Sequence, residues 1–158
     1  MEENKSNIKK ITVNRKARHD YEIVDRIEAG IVLLGSEVKS LRDSRVNISD
    51  AYAQINKGEV WIIGMHISAY KKATYNHIDT LRNRKLLFHK KEIKKLHRQI
   101  TEKGITLVPL ELYFKNNIVK VEIGIARGKR KYDKKAEIAQ KDAKRDMERE
   151  EKKLKYKL

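Results

Sequence analysis

Between residues 108 and 125 the chain alternates apolar and polar side chains twice over, and that pattern limits its folding more than any other stretch. Val108, Leu110, Leu112 and Phe114 form one run; Val119, Val121, Ile123 and Ile125 form the second, set against Lys120 and Glu122. A period of two gives a strand one apolar face. The intervening Lys115-Asn116-Asn117 predicts a tight turn, because Asn tolerates positive φ. Two such runs joined by such a turn are an antiparallel hairpin, and a sheet has to be built around it.

The rest of the chain supplies that sheet. Tyr21, Ile23, Ile27, Ala29, Ile31 and Leu33 are expected to share one face of a long strand; Asp25 interrupts the alternation, and Gly30 is read as a bulge or a sharp coil. Ser36 is the expected N-cap of a short helix that turns Val38 and Leu41 inward and ends near Arg45. The segments "AYAQI" and "VWIIGMHI" read as strands joined by Asn56-Lys57-Gly58-Glu59. Residues 68–85 lack a period and read as a long basic loop. Ile93, Leu96 and Ile100 predict a second helix, stopped by Gly104.

The fold expected is mainly β. It is an oligonucleotide-binding-like antiparallel barrel of about six strands, with two or three short helices and a basic C-terminal tail, disordered or helical. Closing a small sheet on itself removes its edges. Residues 1–18 read as a flexible basic arm, 19–127 as the barrel domain and 128–158 as the tail.

Charge narrows the function. The 38 Lys and Arg against 22 Asp and Glu leave +16. A surplus that repels itself in the compact state points to a polyanionic partner, with nucleic acid ahead of a membrane surface. No Cys is present, so thiolate metal sites and disulfides are excluded. The N-terminus has no secretory apolar region and no run approaches a membrane span, so a cytoplasmic protein is expected. His19, His66, His77, His89 and His97 fall in no ligand spacing, and no phosphate loop or acid–base constellation stands out. No catalytic residue, metal or cofactor is expected.

Basic clusters at Arg15-Lys16-Arg18, Lys39-Arg42-Arg45 and Arg82-Arg84-Lys85 with Lys71-Lys72 lie near Tyr21, Tyr52, Tyr70 and Tyr75. Cations for phosphates beside aromatic faces for unpaired bases are the ingredients of RNA recognition. Arg127 to Leu158 holds fourteen Lys/Arg and seven Asp/Glu, with little to bury. From its residues alone this end is either a solubilising segment or one that folds as a helix on a polyanion.

The stretches "NRKARHDY", "EAGIVLLGSEVKSLRDSRVNISDAYA", "RNRKLLFHKKEI", "LVPLELYFKNNIVKVEIGIARGKRKYDKK" and "KDAKRDMERE" resemble the SmpB (SsrA-binding protein) family along most of the chain. The resemblance implies a non-catalytic protein of trans-translation. Such a protein binds the tRNA-like domain of tmRNA, delivers it to stalled ribosomes, and senses the empty mRNA channel with its tail. It implies RNA contacts by Asn14, Arg15, Arg18, Glu28, Lys39, Arg42 and Lys85, with Leu87 as an apolar contact. It implies a ribosome-facing tail segment of Gly128, Lys129, Arg130, Tyr132, Asp133, Lys134 and Lys135, Lys135 standing where many members carry Arg. The implied partners are tmRNA and the rRNA of the small-subunit decoding centre and mRNA channel. Alanyl-tRNA synthetase and elongation factor Tu would be reached through tmRNA.

Overall fold

In the computed structural model, which describes residues 7–70, 78–102, 104–129 and 141–152, the chain divides into two compact units, residues 1–128 and 129–158. The first is built from β1 (Ile8–Val13), α1 (Arg15–Asp20), β2 (Tyr21–Ile31), α2 (Gly35–Arg42), β3 (Val46–Asn47), β4 (Tyr52–Asn56), β5 (Glu59–Ile63), β6 (His66–Ile67), β7 (Arg84–Leu87), α3 (Lys90–Ile100), β8 (Ile105–Lys115) and β9 (Ile118–Gly128). In the second unit, residues 141–152 are helical and exposed throughout.

Six strands close a ring in the order β8-β4-β5-β7-β2-β9, and β9 returns to β8. All the pairings are antiparallel, and β3 and β6 form a small separate ladder. The two expected turns form as tight left-handed corners, Lys57-Gly58 between β4 and β5 and Asn116-Asn117 between β8 and β9. Inside the ring lie Val60, Ile62, Leu86, Leu107, Leu112, Val121 and Ile123, joined by Leu41 of α2 and Leu96 of α3. Val119, Val121, Ile123 and Ile125 all face this core, as their alternation predicts.

Two bulges alter the faces of the neighbouring strands. In β8 the register shifts between Pro109 and Glu111, and in β2 between Ile23 and Asp25. One extra residue moves every following side chain to the opposite face. Leu112 and Phe114 therefore enter the barrel, while Val108 and Leu110 point out of it with Ala126 and Ala17. Tyr21 and Ile23 join that outer cluster; Ile27, Ala29 and Ile31 belong to the inner one. The single apolar face expected along β8 and along β2 is thus two half-faces in each. Gly30 is not the bulge. A Cβ there would stand 3.3 Å from Leu87 Cβ, so its missing side chain lets Leu87 lie over β2.

Residues 8–13 of the expected flexible arm form a paired strand on the outer edge of β8, and α1 covers the outer cluster. The described part of the arm is therefore folded from Ile8 onward. Residues 84–87, of which Arg84 and Lys85 were expected in the loop 68–85, complete the ring as β7 between β5 and β2. Helix α2 starts from Leu34 rather than Ser36, with Glu37 Oε1 accepting from the Leu34 N–H at 2.9 Å. It stops at Arg42 because Ser44 takes a positive φ of 56°. Helix α3 agrees with expectation, carrying Ile93, Leu96 and Ile100 and followed by Gly104 with a φ of 87°; His89 is its N-cap, and Glu92 accepts from the His89 N–H at 2.9 Å.

Candidate nucleic-acid interface

On the outer face of the barrel the register aligns two rows of side chains. The first runs Tyr113, Lys120, Gly30, Leu87 across β8, β9, β2 and β7. The second runs Glu111, Glu122, Glu28 across β8, β9 and β2. Like charges in register are unfavourable, yet each of these acids has its own cation. Lys10 lies 3.6 Å from Glu111, Arg26 3.3 Å from Glu122, and Lys115 3.3 Å from Glu28. Glu28 is the most open of the three, with 36% of its side chain exposed. The phenol of Tyr113 donates a short hydrogen bond to Glu28 Oε2. That bond, followed by the Lys115 ammonium, holds the Glu28 carboxyl below its ordinary value. Burial and then the same carboxylate raise the Tyr113 hydroxyl above its ordinary value. Glu28 is therefore an ionised acceptor on a basic surface, able to take hydrogen bonds from base amino groups.

Leu87 and Lys85 reach the same region. Leu87 is exposed beside Gly30, and Lys85 donates to Glu59 at 3.2 Å. Arg42 at the end of α2 shares a surface groove with Asn7, Ile8, Lys9, Phe114 and Asn117, at the turn end of the β8–β9 hairpin. Lys39, one turn earlier, is exposed and sits 5.4 Å from the centre of the Tyr70 ring, within cation–π range.

Arg15 and Arg18 are exposed on α1, which lies against Val108 and Ala126 rather than against Tyr113. Five residues of β8 separate the two regions, roughly 17 Å at strand rise. Lys16 bridges to Asp50 at 2.7 Å beside a cleft that Tyr21 and Tyr52 help to line. The structure thus gathers Glu28, Leu87 and Lys85 on one face, sets Arg42 and Lys39 on α2, and keeps Arg15 and Arg18 apart on α1.

Two residues read as surface contacts belong to the interior. Asn14 is 2% exposed, and both amide protons and the amide oxygen bond within the protein. Oδ1 caps α1 by accepting from the Ala17 N–H at 3.0 Å, while Nδ2 donates to Pro109 O at 2.8 Å and Ile48 O at 3.2 Å. The Asn14 N–H adds a bond to Leu110 O at 2.7 Å. It fills the gap on the edge of β8 between the end of its pairing with β4 at Leu107 and the start of its pairing with β1 at Glu111. A direct RNA contact through this side chain does not fit that placement. Arg84, counted in a basic cluster, is wholly buried and ion-paired to Glu37.

In the expected tail segment, Gly128 ends β9 and donates to Gly104 O at 3.4 Å, and Lys129 is half-buried. Arg130, Tyr132, Asp133, Lys134 and Lys135 lie outside the described residues, as do Lys71, Lys72 and Tyr75. Sequence reasoning did not single out Tyr113, Lys115 and Lys120 as candidate site residues; alternation sets them on the polar faces of β8 and β9, but only the pairing of β8 with β9 and of β9 with β2 brings them beside Glu28. Among the described residues, no group of three or more His, Asp or Glu side chains could hold a metal, and no helix is long and apolar enough to cross a membrane.

Residues 11–153 match the family model described as SmpB protein. The chain is 56% identical over 139 residues to the SsrA-binding protein of Acetivibrio thermocellus, covering 88% of this chain and 90% of that protein. It is 54% identical over 142 residues to the SsrA-binding protein of Listeria welshimeri, covering 89% and 92%. The Limosilactobacillus reuteri SsrA-binding protein is 49% identical over 148 residues, 94% of this chain and 93% of its own. A solved chain reported under the words "tmRNA-SmpB: a journey to the center of the bacterial ribosome" superposes with a TM-score of 0.65 at 45% identity, covering 78% of this chain and 91% of that one.

Proposed function

The chain belongs to the SmpB family, and from that membership we propose that it is the tmRNA-binding protein of trans-translation in its bacterium. It binds the tRNA-like domain of tmRNA, brings that RNA to stalled ribosomes and allows peptide tagging and ribosome release. The single observation that carries this reading is the extent of the family match, which runs from β1 through the barrel and into the charged C-terminal unit without a break.

The barrel grips the RNA in this reading. Arg42, Lys39, Arg15 and Arg18 neutralise phosphates, which favours binding by counterion release but carries no sequence information. Glu28 supplies discrimination, because an anion repels a phosphate and is tolerated only where a base or ribose donor meets it. Leu87 beside it gives an apolar contact for a base or ribose face. The C-terminal unit, with Lys129 and its neighbours, faces the rRNA of the decoding centre and mRNA channel. Alanyl-tRNA synthetase and elongation factor Tu are met through tmRNA. The work is binding rather than catalysis, and it takes place in the cytoplasm.

The test is recovery of the tagged protein from its host, followed by sequencing of the co-purified RNA after washes at rising salt. One transcript, tmRNA, is expected to dominate and to grow in share as salt removes phosphate-only binders. A mixture that keeps the composition of cellular RNA at every salt overturns the proposal.

A further inference from the structure

Tyr113 is buried to 6% yet belongs to neither apolar cluster of the protein. A tyrosine on an outer face has an easier alternative, which is to stand in water with its hydroxyl solvated. Here the β8 bulge turns residues 111, 113 and 115 outward, and the Tyr113 hydroxyl meets a side chain two strands away. From that placement we infer that Tyr113 is the positioning residue for Glu28: its hydroxyl fixes the carboxylate in one ionised orientation, from which it accepts from an N–H donor on an RNA base. The inference rests on the tmRNA-binding reading above and on Glu28 as a base contact within it.

The geometry supports a positioning role over a packing one. Glu28 has two oxygens with two lone pairs each. Tyr113 takes one position on Oε2, and Lys115 spreads one ammonium between Oε1 at 3.3 Å and Oε2 at 3.4 Å. One lone pair, on Oε1, is left for a ligand. An unrestrained glutamate would have to be ordered during binding, at a cost in side-chain entropy that the phenol has already met in the folded protein. The surrounding charges keep the pair in this state. Lys115 and Glu111 stand on β8, Lys120 and Glu122 on β9, Arg26 on β2 and Lys10 on β1. Lys115 and Lys120 favour the Glu28 anion, while Glu122 and Glu111 favour the un-ionised phenol.

The experiment measures binding of a tmRNA tRNA-like-domain transcript, with an ordinary elongator tRNA transcript as competitor, by wild type, Tyr113→Phe, Glu28→Gln and the double variant. Tyr113→Phe keeps the ring and deletes only the hydroxyl. It should weaken specific binding about 10- to 100-fold, the scale of losing a hydrogen bond to a charged group. In the Glu28→Gln background it should add less than about twofold, because the two residues act as one unit. Tyr113→Phe should also move the acid limb of binding to higher pH, since Glu28 then protonates more readily. Additive losses, or an unchanged acid limb, overturn the inference.

If Glu28→Gln is impaired and Tyr113→Phe is not, the positioning role fails while the functional reading stands. If wild type does not prefer the tmRNA transcript, the functional reading itself fails. Should Tyr113→Phe not fold, carboxyl-carbon NMR on wild type decides. Glu28 must titrate below the exposed glutamates of the same protein; titration together with them overturns the inference.

Discussion

Arg84 and Glu37 form an ion pair enclosed by the protein, Nε to Oε2 at 2.5 Å, with Arg84 wholly buried and Glu37 4% exposed. The remaining guanidinium nitrogens are engaged as well: one donates to Met65 O at 2.6 Å and the other to Thr80 O at 3.1 Å. Glu37 also accepts from Arg82 and from the Leu34 N–H. The pair ties α2 to β7 and closes the base of the segment between Met65 and Thr80. Burial alone would raise the Glu37 carboxyl. Hydrogen bonds from Arg82, Leu34 and Arg84 outweigh it and hold the group below its ordinary 4.5.

Arg84→Met should therefore cost about 3–5 kcal/mol in denaturant unfolding, because it leaves a buried carboxylate without its counter-ion. A loss below about 1 kcal/mol would mean the pair is more hydrated than its burial indicates. The linkage has a definite sign. Glu37 has a depressed folded value, so its contribution is present above the unfolded value of 4.5 and is lost as pH falls through the folded one. Wild-type midpoints should fall as pH drops below about 4.5, and an Arg84→Met/Glu37→Leu double variant should show a weaker decline.

Asn14→Ala should destabilise the barrel by about 2–4 kcal/mol, since it removes the cap of α1 and leaves two buried carbonyls unpaired. Asn14→Asp should be no better. It keeps the cap but points an anion at Pro109 O and Ile48 O. At a temperature where the variants remain folded, RNA affinity should stay within about threefold of wild type, given that the amide is buried and both its N–H donors are spent within the protein. A tenfold affinity loss with unchanged stability would restore Asn14 as an RNA contact.

What could be read in advance and what could not follow one physical division. Local signals held: the alternation of β9, the i, i+3, i+7 stripe of α3 and the Lys57-Gly58 and Asn116-Asn117 corners all depend on neighbours in sequence. Features set by distant partners did not. A one-residue bulge leaves the period of two intact on both sides: the inversion around Leu110 leaves no trace in the pattern, and the one around Val24 shows only as the interruption at Asp25. Arg84 looks like any surface arginine until Glu37, 47 positions away, is placed beside it. Asn14 looks like part of a polar arm until the gap on β8 exists for it to fill. The candidate site divides likewise: family motifs pointed to Glu28, Leu87 and Arg42, but the contact of Tyr113 with Glu28 became visible only through the fold.

Gly124→Ala tests the outer cluster. A Cβ at Gly124 would lie 2.8 Å from Leu110 Cδ1, closer than carbon atoms can stand, and Leu110 is buried with little room to move. The variant should lose about 1–3 kcal/mol by overpacking. Leu110→Ala alone should also destabilise, by cavity formation. Together the two should cost less than their sum, because the deletion makes space for the added methyl. Additive costs in thermal unfolding would show that the strain is relieved elsewhere.

Phosphate and base contacts should separate in salt titrations of RNA binding. Arg42→Ala should weaken binding to all RNAs alike and lower the slope of log affinity against log salt by about one. Glu28→Ala should leave the slope nearly unchanged and cost about 1–3 kcal/mol on tmRNA alone, even though it makes the protein more positive. Tighter binding by Glu28→Ala would mean that the carboxylate only repels phosphate.

Truncation after Lys129 separates holding the RNA from using it. The last strand ends at Gly128, whose N–H still reaches Gly104 O in the shortened chain, and the deletion removes no strand of the closed ring. The described helix at 141–152 buries nothing, Met147 being 67% exposed, so unfolding free energy should stay within about 0.5 kcal/mol of wild type. Affinity for the tRNA-like domain should change less than about threefold at physiological salt, the remaining loss being long-range attraction. Tagging of nascent chains on ribosomes stalled without a stop codon should nevertheless disappear, because the segment proposed to enter the mRNA channel is gone. Restoring the charge with an unrelated Lys-rich extension should recover any lost affinity without recovering tagging. Full tagging by the truncated protein would mean that the barrel alone, and not the charged end, acts on the ribosome.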